Sequence, residues 1–435
     1  MRIKLVLFCF LFIGLVNAQE NKFSLKETID LAIKQNLDIQ IANSDLEIAK
    51  NNNNWGNAGA LPSITANLSN TEAVSNIDQK LANGSSIQRN NVSNSSINSN
   101  LSISWRIYNG KRIRATKDRF EVIEKMGAIA LDQQIDQIIY DVSNIYHNLI
   151  RLNKQISATK AIIALSEERY KIAETRFNVG SGAKTDMLQA EIDLNGQRID
   201  LENINKQVAS TISTMNALLK RNVNEPFATK ENDFNLPSID FGKLVSVLEK
   251  QNYQLLMAQQ ERQNILNDRK IINAQRLPVL SLNSNTVLNK QRSTAGFFLT
   301  NQTFGPNVGL GLGIPIFNGN INKTQLKTNA IQGKRQDLQI EQLKNTLQRD
   351  LLIAYQDYQN AITITKIEEK NVKLAEENNM ISTERFRKLV SNSIELRQAQ
   401  LSLIEAEDRY INAQYRAQVA VNTLLFLTGE INKIQ

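Results

Sequence analysis

The chain repeats itself, and that repeat limits the folds open to it. Ile107-Tyr108-Asn109-Gly110 recurs as Ile316-Phe317-Asn318-Gly319, 209 positions on. The same offset aligns Asp141 with Asp350, Tyr146 with Tyr355, Arg176-Phe177 with Arg385-Phe386, Asp186 with Glu395, and Gln189-Ala190 with Gln398-Ala399. Upstream, Lys34-Gln35-Asn36 recurs as Lys250-Gln251-Asn252, and Leu61-Pro62 as Leu277-Pro278, both 216 apart. A register held this long describes one structural unit used twice, with a shorter loop in the second copy. Repeat 1 is read as residues 19–221 and repeat 2 as 239–429, with a linker at 222–238 and a tail at 430–435.

All six prolines lie outside the candidate helices, and none falls between Ser63 and Glu225 or after Ile316. An interior proline costs a helix about 3 kcal/mol, so both stretches are open to very long helices. Residues 111–177 form the first, roughly 100 Å long at 1.5 Å per residue. Its stripe, Leu131, Ile135, Ile138, Val142, Ile145, Leu149, Leu152 and Ile156, alternates steps of four and three. That period, 3.5, belongs to helices that supercoil against neighbours. Residues 320–389 repeat the plan, and 184–221 and 393–428 return as shorter heptad helices. Each repeat opens on a helical segment, 24–60 in the first and 241–276 in the second, the latter read as Phe241 to Lys250 and Tyr253 to Arg276; Ser24 followed by Glu27 is a capping box for the first.

Between helices the period changes to two. Strands are expected at 62–70, 97–108, 278–289 and 306–317, with an Asn/Ser-rich loop from Asn70 to Ser96. Leu101, Ile103 and Trp105, with Leu282, Leu310 and Leu312, make one greasy face, while the other, which includes Arg106, is mostly Ser, Asn, Thr and Gly. A soluble sandwich normally carries charge on its solvent face; an uncharged polar face suits a water-filled barrel lumen, with the greasy face toward lipid. Four strands cannot close a membrane barrel, and open edges are not tolerated in lipid, so several chains must share one. The fold class is mainly α with a membrane β-barrel portion: a long coiled-coil helical barrel plus four strands per chain.

The N-terminus reads as a secretory leader, residues 1–18. Arg2 and Lys4 precede an apolar run, and Ala18 offers the cleavage site. Cys9, the one cysteine, falls inside it without a lipobox, so no lipid anchor is expected. The net charge of +8 is interspersed and not interleaved with aromatics, the pattern of a solvated surface and not of a nucleic-acid site. One histidine, His147, in mid-heptad leaves little for metal chemistry. The pairs Glu167-Glu168 and Glu368-Glu369 read as helix surface charge, and neither Asn-Gly turn has the basic residue of a phosphate loop. Neither cofactor nor enzyme activity is expected.

The residues in this order resemble the TolC-like outer membrane efflux family. The carriers are the doubled helix-strand-strand-helix-helix plan, the Leu-Pro before each outgoing strand, the Ile-Tyr-Asn-Gly and Ile-Phe-Asn-Gly turns, and Arg176-Phe177-Asn178-Val179-Gly180 with Thr185-Asp186. The resemblance implies a homotrimer with a twelve-stranded outer-membrane barrel in a Gram-negative bacterium, and helices forming a periplasmic tunnel. It implies a periplasmic adaptor (membrane fusion) protein and an inner-membrane pump of RND or ABC type as partners, with small molecules as cargo. The tips Val179, Gly180, Ser181 and Gly182, and Leu389, Val390 and Ser391, would dock the adaptor. The mouth would be lined at Glu395 and Gln398, only the first of them charged. Where relatives latch the mouth with a Tyr and an Arg bonding an Asp, this chain has Phe386 and Ser391 facing Asp186; Arg385 or Arg387 is the available substitute. Protein export on the same fold, a coiled-coil surface or adhesin protein, and a soluble periplasmic helical binding module stay open as alternatives.

Overall fold

The computed structural model describes residues 22–230, 239–295 and 298–434. The expected leader with Cys9, and linker positions 231–238 with Pro237, lie outside the described residues. In chain order the elements are β1 (Lys22–Phe23), α1 (Leu25–Gln35), α2 (Leu37–Asn52), β2 (Ser63–Lys80), β3 (Ser86–Asn109), α3 (Arg112–Asn178), α4 (Lys184–Leu218), β4 (Ala228–Thr229), α5 (Phe241–Gln251), α6 (Tyr253–Ala274), β5 (Val279–Ser293), β6 (Thr300–Gly313), α7 (Ile321–Arg387), α8 (Ser393–Thr428) and a 3-10 turn at Ile431–Ile434. Among the described residues no helix is long and apolar enough to cross a membrane.

The chain forms two compact units, and they cut across the repeats. One comprises the described residues up to Gln40 with Gln134–Gln251 and Leu347 onward; the other comprises Ile41–Gln133 and Asn252–Thr346. Division by repeat, at 19–221 and 239–429, therefore does not describe the packing. A repeat exposes an apolar face that it cannot bury alone, and each unit is completed by parts of both copies.

The first unit is helical. Its buried residues include Ile138, Val142, Leu149 and Leu152 of the predicted α3 stripe, with Tyr146, Leu248, Leu351, Leu396, Ala417 and Leu424. Ser24 caps α1 through a reciprocal box with Glu27. The Tyr146 hydroxyl lies 2.9 Å from the carbonyl oxygens of both Phe23 and Lys230, tying α3 to the small parallel pair β1–β4. Its repeat equivalent, Tyr355, donates to the Ile239 carbonyl at 3.5 Å.

The helical segment expected at 24–60 is broken in two at Asn36, while in the second copy the helices expected at 241–250 and 253–276 meet at Asn252. Both asparagines are extended, with ψ of 134° and 120°, and cap the helix that follows. Asn36 Oδ1 accepts from the amides of Asp38 and Ile39 at 2.8 and 3.2 Å, and Asn252 Oδ1 from that of Leu255 at 3.1 Å. A short polar side chain that satisfies its own backbone competes with the helix, which ends there.

The second unit carries a four-stranded antiparallel sheet in the order β2-β3-β5-β6. The loop expected from Asn70 to Ser96 is mostly strand: β2 runs on to Lys80 and β3 starts at Ser86. Seventeen Cα pairs join the two hairpin arms from Ser63↔Ser104 to Lys80↔Ser86, through a bulge at Ser75/Ile77. Asn and Ser have low strand propensity, yet ladder pairing of both neighbours overrides it. The expected strand 306–317 instead ends at Gly313. Beyond it stands Pro315, which has no amide to give, and β6 is an edge strand with one neighbour only.

The repeat is visible in the backbone. Gly110 and Lys111 after β3, and Gly319 and Asn320 after β6, all adopt positive φ, from 63° to 69°. Gly180 and Leu389 do so after α3 and α7, and Lys220 and Gly429 after α4 and α8. Each pair lies 209 positions apart.

Candidate functional site

Two regions carry the residues singled out by sequence: the sheet and the far ends of the helical hairpins. Register settles which strand residues share a face, because residues opposite each other in an antiparallel pair point the same way. Ile64 faces Ile103, Ala66 faces Leu101, Trp105 faces Leu282, and Leu282 faces Leu310, with Leu280 opposite Leu312. The six residues expected on the greasy face therefore lie on one side. Thr65, Ser102, Asn285 and Asn307 make one row of the other side, and Ser63, Ser104, Asn283 and Gly309 the next. That face carries no charge in these rows. The Trp105 indole donates to the Ala60 carbonyl at 2.8 Å, anchoring one end of the greasy band.

The hairpin ends belong to the first unit. At the first tip, the Ser181 amide donates to the Arg176 carbonyl at 2.8 Å and the Gly180 amide to that of Phe177 at 3.0 Å. This double bond closes a helix through a left-handed residue. The second tip does the same with Val390 onto Arg385 at 2.9 Å and Leu389 onto Phe386 at 3.2 Å. Val179, Leu389 and Val390 are all exposed at these tips. A Cβ on Gly182 would lie 2.8 Å from Arg176 Cβ, so the first tip has room only for glycine there. Ser391 takes that place in the second copy, and its Oγ is buried without a hydrogen-bond partner.

Between the tips and the first turns of the returning helices lies a cleft of about 240 Å³ lined by Asp186, Gln398 and Phe386 among others. Phe386 is fully buried, with the Arg176 guanidinium 4.9 Å above its ring. Asn392 Oδ1 caps α8 by accepting from the Glu395 amide at 2.8 Å, which puts Glu395 in the first turn, where a carboxylate is favoured. Glu395 also accepts from Arg385 Nε at 3.0 Å, both side chains being half-exposed. Arg385 thus meets Glu395. Arg387 bonds Glu168, with Nε at 2.9 Å, and Glu384 at 2.7 Å. Glu168 is then an inter-helix ion-pair partner and not free surface charge. Glu368 has the same fate with Arg409 at 3.1 Å, and Glu167 with Arg198 at 2.8 Å.

The most buried charges near the cleft were not singled out by sequence. Asp193 of α4 accepts from Arg397 Nε of α8 at 2.8 Å, from Gln189 at 2.8 Å, and from Arg169 of α3. Burial pushes the Asp193 carboxyl up, but these donors together hold it below the usual carboxylate range. Asp193 precedes Leu194 of the heptad stripe, and a charge beside a stripe was the available signal. The offset of 209 would not have found it, because Asp193, Arg169 and Arg397 align with Ser402, Asn378 and Leu188. His147 is buried, its Nδ1–H donating to the Ser143 carbonyl at 2.7 Å. Among the described residues, no three His, Cys, Asp or Glu side chains cluster as a metal site.

A sheet with one greasy and one polar, mostly uncharged face, joined twice to paired helices of 67 and about 35 residues, defines an outer-membrane channel of mixed barrel and helical-hairpin build. Residues 28–219 and 244–430 match the outer membrane efflux protein family, and the chain belongs to it. The outer-membrane channel OprN superposes with a TM-score of 0.77 at 15% identity, covering 93% of this chain and 90% of that one. The outer membrane protein VceC of Vibrio cholerae superposes at 0.75 and 16% identity, over 93% and 96%. The CmeC outer membrane channel of Campylobacter jejuni gives 0.76 and 16%, over 93% and 85%. Nodulation protein T of Rhizobium leguminosarum bv. trifolii is 25% identical over 167 residues, 38% of this chain. The match spans about a third of that relative, 34%.

Proposed function

We propose that the chain is one of three identical subunits of a passive export duct, in which the pooled strands line a water-filled barrel in the outer membrane. Small molecules would enter from an inner-membrane pump through a periplasmic adaptor docked on the two hairpin tips. The driving energy would belong to the pump. The observation that carries this reading is the sheet. It has a lipid-compatible face, a polar face that is mostly uncharged, and outer edges on β2 and β6 paired with nothing among the described residues. Unpaired backbone in hydrocarbon costs several kcal/mol per group, so the edges need partners, and three four-stranded sheets supply a closed ring.

Glu395 and Gln398 then stand at the narrow end, with Asp186, Phe386 and Ser391 close by. Glu395 would favour cations there, and Arg385 partly offsets its charge. Opening would move the hairpins carrying these residues apart, a shift between two packings.

The test is purification in detergent followed by mass determination and planar-bilayer recording. The expected result is a particle of three chains with discrete ohmic conductance. A single chain that stays soluble without detergent and conducts nothing would overturn the reading. Deleting the gene should raise retention of a fluorescent efflux dye; normal dye efflux with loss of a secreted protein would move the cargo to polypeptides.

A further inference from the structure

The greasy face of the sheet changes character along its length. Leu280 stands between Tyr108 and Leu312, and Leu282 between Trp105 and Leu310. The Ser284 row holds Ile64, Ile103 and Val308, the Thr286 row Ala66, Leu101 and Pro306, and the Leu288 row Leu68 and Phe304. The next two rows on the same face turn cationic. Lys290 stands between Ile97 and Gln302, and Arg292 between Ser95 and Thr300. The alternate positions on β5, Asn289 and Gln291, belong to the polar face and are uncharged.

A tilted strand crosses hydrocarbon in about 9–11 residues. The greasy rows from Leu280 to Leu288 have that span, so Lys290 and Arg292 emerge where acyl chains give way to headgroups. Both lie at the end of the sheet away from α3 and α7, which follow β3 and β6 at the Leu280 end. In the channel reading that end faces the cell surface. Neither cation has an ion-pair partner among the described residues, and Arg292 is exposed. The one acid in the Arg292 row, Glu72, lies two strands away, about 10 Å at the sheet spacing. Its carboxylate accepts from the Ser95 hydroxyl at 2.6 Å.

Resting on the outer-membrane reading, we infer that Lys290 and Arg292 bind the phosphate-bearing headgroup of an outer-leaflet lipid, whose acyl chains lie over Leu288 and Phe304. Residues two apart on one strand face start about 7 Å from each other, so both side chains reach one phosphate. The guanidinium can grip two of its oxygens, and the ammonium adds a compact charge on a stem that lies along apolar surface. Leu288 and Phe304 pair directly below, 38% and 71% exposed. That apolar floor suits an acyl chain and gives a free anion nothing, so the ligand is an amphiphile. Cations serving the conducting path would stand on the polar face instead; these two stand on the face that meets lipid.

The test is native mass spectrometry of the detergent-purified protein with added lipid A, monophosphoryl lipid A or phosphatidylcholine. Lipid A should bind tightest, the monophosphoryl form more weakly, and phosphatidylcholine weakest, and millimolar inorganic phosphate should not displace lipid A. Lys290→Gln with Arg292→Gln should weaken lipid A about 30-fold, at about fivefold per charge. Arg106→Gln, which removes a charge from the polar face opposite Ser281, should leave lipid A binding unchanged. Undiminished binding in the double variant, an equal loss in Arg106→Gln, or displacement by inorganic phosphate would overturn the lipid site. With three-chain mass and conductance intact, each of those results would leave the channel reading standing. A one-chain particle that needs no detergent would overturn both.

Discussion

Gly180 and Leu389 hold the same left-handed backbone conformation, φ +75° and +63°, each closing a helix of 67 residues. The first is paid no steric penalty, because glycine has no Cβ; the second holds a branched, exposed side chain where L-residues lose about 1–2 kcal/mol. Leu389→Gly should therefore raise stability by about 1 kcal/mol, and Gly180→Leu should lower it by a similar amount. Denaturant melts of the detergent-solubilised protein measure both, and an unstabilised Leu389→Gly would mean that Leu389 earns its place through contacts.

Asp193 neutralises two arginines, one of them, Arg169, almost fully buried. Asp193→Asn leaves Arg169 buried and uncompensated, a loss on the order of 3–5 kcal/mol. Replacing the pair together, Asp193→Leu with Arg169→Met, should recover most of it. The measurement is a double-mutant thermal series; equal losses in single and double variants would show that the ion pair does not hold these helices together.

The Arg385–Glu395 pair predicts opposite shifts in selectivity. Glu395→Gln should weaken cation preference in single-channel recordings, and Arg385→Gln should strengthen it, since it removes the compensating charge. Reversal potentials in a potassium chloride gradient read both. If neither variant moves the reversal potential, Glu395 does not line the conducting path.

His147 predicts a pH slope. Burial, partly offset by its bond to Ser143, lowers its pKa to about 4, against 6.5 for an exposed histidine. Between those values the unfolded chain binds the additional proton, so stability is full above about pH 6.5 and falls as the pH drops toward 4. The loss is about 3 kcal/mol when the whole interval is crossed. His147→Gln should flatten the slope in melts from pH 7 to 4; an unchanged slope would assign it to other groups.

Leu282 and Leu310 face each other on the greasy side of adjacent strands. Arginine at either position should cost about 2–4 kcal/mol at the bilayer midplane and block insertion. Fractionation of the outer membrane shows the outcome. Normal assembly of both variants would place lipid on the other face.

Local chemistry made much of this protein legible before any coordinates. Heptad spacing along α3, the absence of proline, and period-two alternation around Leu101, Leu282 and Leu310 are short-range patterns that a chain displays without folding. Duplication was legible for the same reason, since Ile107–Gly110 and Ile316–Gly319 match as strings. What tertiary structure alone decided depends on partners far apart in sequence. Most of Asn70–Ser96 became strand because a ladder opposite it outweighed the weak propensity of Asn and Ser. Asp193, Arg169 and Arg397 met because three helices converge, and their charges occur in one copy only. Periodicity records which face of an element is buried; it carries no record of which distant side chain will be waiting there.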